Sequence, residues 1–319
     1  MWRIGLATSL LLVVGGIALT RGPLAGTLGS GEPLVVMAAG DIACDPADPD
    51  FHGGFGTARD CRQGLTASLL DPHAAAILLL GDDQYECGGL AAYRASFEPS
   101  WGRFEPLIRP APGNHEYEIY PNGTDCSAIG TATGYFEFFG ASAHQETAGH
   151  YSFDLGAWHI IALDSQCSAI GGCAHGSPEE TWLSADLAAT REPCILAYWH
   201  HPRWSSGRHG NESQTAAFWD DLYAYHADII LNGHDHDYER FPLLSPAGAP
   251  DPNGIREFVV GTGGRSHDGP GTLAAKSEVR NFDTFGVLKL TLRSSGEDWS
   301  FIPEPGATFT DSGSGSCHP

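Results

Sequence analysis

The sequence predicts an α/β fold in which two packed mixed β-sheets are flanked by helices. Short apolar runs carry the first part of that reading. Leu34 to Gly40, Ala75 to Gly81, Trp158 to Asp164, Cys194 to His200 and Asp228 to Gly233 each end near polar residues and have the length of buried strands. Helical stretches between them carry the second part. The clearest is Ser177 to Thr190, where Ser177 can cap, Pro178 suits the first turn and Glu180 completes an S-x-x-E capping box; another runs from about Glu212 to His226. The third observation is that Ile255 to Gly261, Thr284 to Leu292 and Trp299 to Ile302 read as strands with no helix between them. A single sheet of alternating strands and helices does not accommodate these, so a second sheet is expected.

The chain of 319 residues is 42% apolar and 10% aromatic, enough to bury one large core. One domain is expected over residues 31–310. Acidic side chains outnumber basic ones 39 to 17, the formal charge is −22, and Lys276 and Lys289 are the lysines. A surface of that sign repels nucleic acid polymers and anionic membranes. An anionic small molecule would need a local positive centre.

At the N-terminus, Arg3 precedes an uncharged, mostly apolar stretch from Ile4 to Thr20 that suits the core of a signal peptide. Residues 1–30 are therefore set aside as a signal peptide, or as an N-terminal anchor with linker, since no small-x-small cleavage site follows and Arg21 flanks the far side. Cleavage would make the protein secreted, periplasmic or extracellular, with no stable membrane partner. Eight cysteines, none in a CxxC pattern, are an even number in a chain with an export segment, which points to disulfides. Sequence neighbours Cys44 with Cys61 and Cys167 with Cys173 are the expected pairs. The Gly/Ser-rich stretch from Asp311 opens a C-terminal tail, 311–319, that is expected to be flexible unless Cys317 pins it.

The chemistry is carried by where the polar residues fall. Asp41 follows the first apolar run, Gly81-Asp82 the second, and Gly113-Asn114-His115-Glu116 lies in a loop; His200 and Gly233-His234-Asp235-His236 follow later runs. In open α/β sheets, ligands gather at the carboxyl ends of strands. Oxygen donors from Asp and Asn mixed with imidazoles suit zinc, iron or manganese, whereas calcium takes oxygen alone. One carboxylate shared by two cations would complete a dinuclear centre. Taken singly, each residue has an ordinary structural use, as a turn cap or a core histidine. It is their joint occurrence in this order that points to metal.

The strings Gly40-Asp41, Gly81-Asp82-Asp83-Gln84-Tyr85, Gly113-Asn114-His115-Glu116, Ala197-Tyr198-Trp199-His200 and Gly233-His234-Asp235-His236 resemble the motifs GD, GDxxY, GNH followed by an acid, VxxH and GHxH. They mark a resemblance to the calcineurin-like metallophosphoesterase superfamily and, within it, to the purple acid phosphatase family. Ala197 in place of valine is the one departure. The resemblance implies a four-layer sandwich with two metal ions. Asp41, Asp82, Tyr85 and His236 would surround the first, Asp82, Asn114, His200 and His234 the second, with Asp82 as the bridge. His200 is preferred to His201 because the family places this histidine two residues before a proline, here Pro202.

Broader relatives usually carry D-x-H at the first motif, but here the string is Asp41-Ile42-Ala43. With no imidazole at position 43, the first metal lacks a donor unless Tyr85 supplies it, and a phenolate favours Fe(III). The second site would hold Zn, Fe or Mn. Two cations sharing a carboxylate lower the pKa of bound water from about 15.7 toward about 7 and clamp the phosphoryl oxygens. His115 could then give a proton to the leaving oxygen or hold the phosphate, and His209 resembles a second substrate-side histidine. The expected activity is that of a hydrolase acting on small-molecule phosphate monoesters, with phosphodiester or nucleotide hydrolysis on the same site as the alternative. A non-catalytic phosphate-binding module is a further alternative, although such a protein would have lost one of these ligands. Gly261-Thr262-Gly263-Gly264-Arg265 reads as a tight turn after a strand rather than a phosphate cradle.

Overall fold

The computed structural model describes residues 1–2 and 31–318, apart from 119, 121, 127–129 and 275. The expected signal peptide or anchor therefore lies outside the described residues. Among the described residues, no helix is long and apolar enough to cross a membrane.

A six-stranded sheet holds β1 (Leu34–Ala39), β2 (Ala76–Leu80), β3 (Ile108–Ala111), β11 (Gly286–Arg293), β12 (Gly296–Pro303) and β13 (Ser312–Ser316), in the order β13-β12-β11-β1-β2-β3. The remaining strands, β4 (Tyr151–Leu155), β5 (Trp158–Ala162), β6 (Cys194–Tyr198), β7 (Ile229–Asn232), β8 (Tyr238–Leu244), β9 (Ile255–Val260) and β10 (Val279–Asn281), form a seven-stranded sheet ordered β10-β8-β9-β7-β6-β5-β4. Both sheets are mixed: β1, β2 and β3 run parallel, as do β5, β6, β7 and β9, while β11, β12 and β13 in the first sheet and β4, β8 and β10 in the second pair antiparallel.

Alternation along β6 shows how the layers are held. Cys194, Leu196 and Tyr198 point into the core shared with the six-stranded sheet. Ile195, Ala197 and the following Trp199 pack on the other face with Leu183, Leu187, Phe218 and Leu222, the apolar faces of helices Pro178–Ala189 and Ala216–Ala224. A strand buried on both faces needs a continuous apolar run, which is why this sheet centre was legible. Ser177 caps its helix by accepting from Glu180 N at 3.4 Å, but Glu180 accepts from Gly176 N rather than from its cap.

The C-terminal tail is not a loose segment. Ser312–Ser316 pairs with β12, and Cys317 is bonded to Cys194 at the start of β6, so the pinning cysteine prevails over the Gly/Ser composition. The expected pairs Cys44–Cys61 and Cys167–Cys173 are present, together with Cys87–Cys126.

Many carboxyls are enclosed by these layers. Burial, the largest effect at each, pushes Glu116, Asp164, Glu239 and Glu297 up to about 7, and raises Asp83, Glu179, Asp237 and Glu257 well above the ordinary carboxyl range. A carboxyl whose folded pKa exceeds its unfolded value binds more protons when folded, so its contribution is complete below about pH 4 and is lost as pH rises through the folded value. Asp82, Glu180, Asp251, Asp268 and Asp311, held low, act in the opposite direction, as do His150, His201, His234 and His267, which burial holds down; the raised carboxyls, which also include Asp60, Glu212, Asp221 and Asp228, outnumber them. The metal-free protein is expected to melt at a higher temperature near pH 5 than near pH 8; calorimetry showing the reverse order would contradict these protonation states.

Candidate metal centre

The parallel strands of both sheets end at one edge of the sandwich. Asp41 stands two residues beyond β1, Asp82 two beyond β2 and Asn114 three beyond β3; His200 and His234 stand two beyond β6 and β7, and His236 two before β8. Three of these residues turn the chain sharply: Asp41, Asp82 and His234 have φ of 58°, 51° and 73°. Left-handed backbone at non-glycine residues is costly and concentrates at functional sites. The motif glycines answer a different need, close approach. A Cβ on Gly113 would lie 2.2 Å from Asp82 Oδ1, and one on Gly233 would lie 2.6 Å from Asp41 Oδ2.

All seven expected ligands converge, and they do so as two groups. Tyr85 Oη lies 2.8 Å from Asp41 Oδ1, 3.0 Å from Asp82 Oδ2 and 3.0 Å from His236 Nε2. His200 Nε2 lies 3.1 Å from Asn114 Oδ1, 3.2 Å from Asp82 Oδ2 and 3.2 Å from His234 Nδ1. The same oxygen, Asp82 Oδ2, belongs to both groups. Asp41, Asp82, Tyr85 and His200 are buried almost completely.

The remaining atoms of these side chains are tied down in ways that leave the converging atoms free. His115 N donates to Asp82 Oδ1 at 2.8 Å, and His234 N donates to Asp41 Oδ2 at 2.8 Å. His200 Nδ1 donates to Leu80 O at 2.9 Å, and His236 Nδ1 pairs with Ser266 Oγ at 2.8 Å. Fixing one ring nitrogen to orient the other is how metal-ligating histidines are held. The donor set fits two cations bridged by one carboxylate: hard oxygens and imidazoles, convergent, buried and pre-oriented.

Without metal, the groups compensate one another. Burial opposes the Asp82 charge, yet His200 and His115 beside it hold the carboxyl well below the usual range. Burial likewise opposes a charged His200, yet Asp82 pushes it up to about 10. Burial and the neighbouring Asp41 carboxylate push the Tyr85 phenol well above its ordinary value, so it keeps its proton. A cation would displace protons from His200 and Tyr85 and take over the neutralising role.

His115 and His209 flank the centre differently. His115 donates from Nδ1 to Glu86 O at 2.6 Å, which leaves Nε2 3.8 Å from Asp82 Oδ2 at the site's mouth. His209 packs its ring 4.4 Å from that of His234 and faces Asp268 Oδ2 at 3.7 Å, with much of its side chain exposed. His201 does not join the donors. Its Nδ1 is engaged with Ser165 Oγ at 2.8 Å, and burial pushes it down to about 3.

Several residues that serve the site had no assigned role in the sequence. Glu116 accepts from Asp82 N and Gly113 N on one oxygen and from Asp83 N and Gln84 N on the other. Asp235 accepts from the Ser205 hydroxyl, His209 N and Gly210 N, and so holds the loop carrying His209. Both stand inside recognisable motifs, whereas Asp268 and Ser266 carry no local signal at all.

The sequence model of the calcineurin-like phosphoesterase family matches residues 49–238, more than half of the chain. The chain belongs to the calcineurin-like phosphoesterase family. The family match takes in Asp82, Tyr85, Asn114, His200, His234 and His236 and begins after Asp41. Within the family, the curated relatives point to purple acid phosphatases. Purple acid phosphatase 15 of Arabidopsis thaliana is 33% identical over 177 residues, 51% of this chain and 32% of the relative. Purple acid phosphatase 18 of the same plant is 27% identical over 250 residues, 69% of this chain and 54% of the relative. The chain thus spans between about a third and about a half of their lengths. Among solved structures, purple acid phosphatase PPD1 from yellow lupin (Lupinus luteus) seeds superposes with a TM-score of 0.72 at 18% identity, covering 89% of this chain and 54% of that one. The Plasmodium inner-membrane-complex anchor GAP50 shares the fold at a TM-score of 0.56 and 16% identity, covering 88% of each chain. The two packed mixed sheets flanked by helices are the fold of these proteins.

Proposed function

We propose that the protein is an exported, metal-dependent phosphoesterase that hydrolyses small phosphate monoesters at the Asp82 centre. Because an anchor protein shares the fold, the reading rests on the site and not on the architecture. The observation that carries it is the sharing of Asp82 Oδ2 between the Tyr85 group at 3.0 Å and the His200 group at 3.2 Å. Asp41, Asp82, Tyr85 and His236 would hold one ion and Asp82, Asn114, His200 and His234 the other. When bound, such a pair supplies Lewis acidity for activating water and for neutralising phosphoryl charge.

The chain's own residues then perform the rest. Asp41 and Asp82 present fixed carboxylate oxygens that would hold the cations in place, so that no reorganisation of the site is needed when charge develops on the phosphoryl group. His115 Nε2, oriented by the Glu86 carbonyl, donates a proton at the leaving oxygen or holds a phosphoryl oxygen. His209, backed by Asp268, approaches from the His234 side and does the same for the opposite edge. The net charge of −22 turns polyanions away from this pocket, which favours small esters over nucleic acid. A panel of mono- and diesters assayed on metal-loaded protein tests the assignment: faster turnover of the monoester is expected, and no turnover of either would overturn it.

Iron in the first site is proposed on the Tyr85 environment. Ala43, bridged to Gln84 and fully buried, leaves no imidazole at position 43, while Tyr85 Oη lies 2.8 Å from Asp41 Oδ1. A phenol that burial keeps protonated yields its proton most readily to a trivalent ion. The purified protein should therefore show a visible phenolate-to-iron band that Tyr85→Phe abolishes while the fold is kept. Stoichiometric oxidised iron without that band would remove the tyrosinate, and zinc or manganese alone would remove the iron.

Export is proposed from the Ile4–Thr20 segment together with four disulfides among the described residues. Intact-mass analysis of the native product should show no free thiols and a shortened N-terminus. A full-length cytosolic product with eight free thiols would contradict it.

A further inference from the structure

The Gly261–Arg265 segment does more than turn the chain. Gly263 N donates to Gly40 O and Arg265 N to Asp41 O, both at 2.9 Å, so the segment is laced to the first motif loop. On its other side, Cys61 N donates to Arg265 O at 3.0 Å, and Cys61 is bonded to Cys44. This lacing delivers the Arg265 guanidinium to 5.2 Å from the centre of the Tyr85 ring.

The guanidinium is held there by groups that are not part of the metal centre. Its Nη2 donates to Glu86 Oε1 at 2.7 Å and lies 3.6 Å from Asp48 Oδ2; its Nη1 lies 3.9 Å from Asp60 Oδ1 and 3.7 Å from Cys44 Sγ. The side chain is only 18% exposed. Asp41 and Asp82, which approach Tyr85 Oη, receive no bond from it. In a chain this acidic, a buried cation set against the ring of one proposed ligand is a specific arrangement.

We propose that Arg265 is a positioning residue that tunes Tyr85: its fixed positive charge lowers the energy of the ring's electrons and so sets the colour and reduction potential of the first metal. The proposal rests on the reading of Tyr85 as a ferric ligand. A cation within about 6 Å of an aromatic centroid is attracted by the ring's electron density. A phenolate, carrying a full negative charge in a buried place, feels it more strongly. Stabilising the electrons of the donor raises the energy needed to move one to the metal, and weakens donation to the oxidised ion. Both effects disappear with the charge. A guanidinium that only staples the Asp48, Asp60 and Glu86 loops would leave them unchanged.

The test uses the full chain loaded with ferric iron, followed by its visible spectrum and its reduction potential. Arg265→Met should move the band to longer wavelength and lower the potential. Arg265→Lys, which keeps the charge, should return both toward the wild-type values. Glu86→Gln removes a counter-charge from the guanidinium, so it should move the band to shorter wavelength and raise the potential. Glu86→Gln keeps the test decisive if Arg265→Met fails to fold. Coloured, folded variants with the wild-type band and potential would overturn the role of Arg265 while leaving the Tyr85 assignment standing. A colourless wild-type protein carrying ferric iron would overturn the Tyr85 assignment itself, and the tuning role with it.

Discussion

Replacing Asp82 with alanine is expected to lower the proposed phosphoesterase activity by at least about 10³-fold, because it removes the one oxygen common to both donor groups. Asp82 Oδ2 faces Tyr85 Oη at 3.0 Å and His200 Nε2 at 3.2 Å, and Oδ1 accepts from His115 N at 2.8 Å. Its loss has three consequences. Two cations would face each other without a bridging anion. His200, although burial disfavours its charge, is pushed up to about 10 with Asp82 in place, and would lose that partner. The His115 backbone, which aims the His115 ring at the mouth of the site, would lose its acceptor. His234→Ala should give a loss of similar order by removing one donor of the second group. Elemental analysis separates loss of metal from loss of chemistry, and circular dichroism shows whether the sandwich survives. Either variant retaining both near-wild-type turnover and two bound ions would refute a dinuclear centre at this place.

Much of this was legible in the sequence, for a physical reason. The central strands β1, β2, β6 and β7 are enclosed on both faces and are written as apolar runs. A polar residue just past such a run stands at the strand's carboxyl end, so Asp41, Asp82, His200 and His234 could be placed on one edge before any coordinates. The strands that escaped notice lack that enclosure. β4, Tyr-Ser-Phe-Asp-Leu, is only partly buried along its edge; β3 contains Arg109 and Pro110; β8 breaks its pattern at Pro242. β13 has no apolar residue and exists through its pairing with β12 and the Cys194–Cys317 bond, a contact between residues 123 positions apart. The helix expected from about Glu212 is shorter, Ala216–Ala224, because Glu212 N donates to Pro202 O, Glu212 O accepts from the Arg203 guanidinium, and Asn211 Oδ1 accepts from Ser205 N. What a carboxylate does was the least legible property of all. Asp82, Glu116 and Asp235 stand in equally recognisable strings, yet the first faces the donor groups while the other two bind backbone amides. That division is set by distant segments, not by neighbours.

Glu116 supplies the second large effect, and it acts on the fold of the site rather than on its chemistry. Its carboxylate, 1% exposed, accepts from the backbone N–H groups of Asp82, Asp83, Gln84 and Gly113 at 2.8–3.2 Å and from the Tyr93 hydroxyl at 3.0 Å. Burial and the nearby Asp82 charge push it up to about 7 against these amides, so the anion is held at a cost that the five donors offset only in part. Glu116→Ala would leave those donors unpaired in a space water reaches poorly. Each buried unsatisfied group costs about 1–3 kcal/mol, and since they share one acceptor the losses do not simply add; a total of at least about 4 kcal/mol is expected. The damage falls on the Asp82–Gln84 turn, so the Asp82 carboxylate would lose its position even if the sandwich held. Chemical denaturation should show the destabilisation, and metal analysis of whatever folds should show less than the wild-type content. Glu116→Gln keeps one acceptor oxygen but turns an NH2 toward the amides, so it should fall between the two. Wild-type stability and metal content in Glu116→Ala would mean that the turn after β2 is held by its own backbone and that the acid of the Asn-His-Glu string has no structural part in the centre.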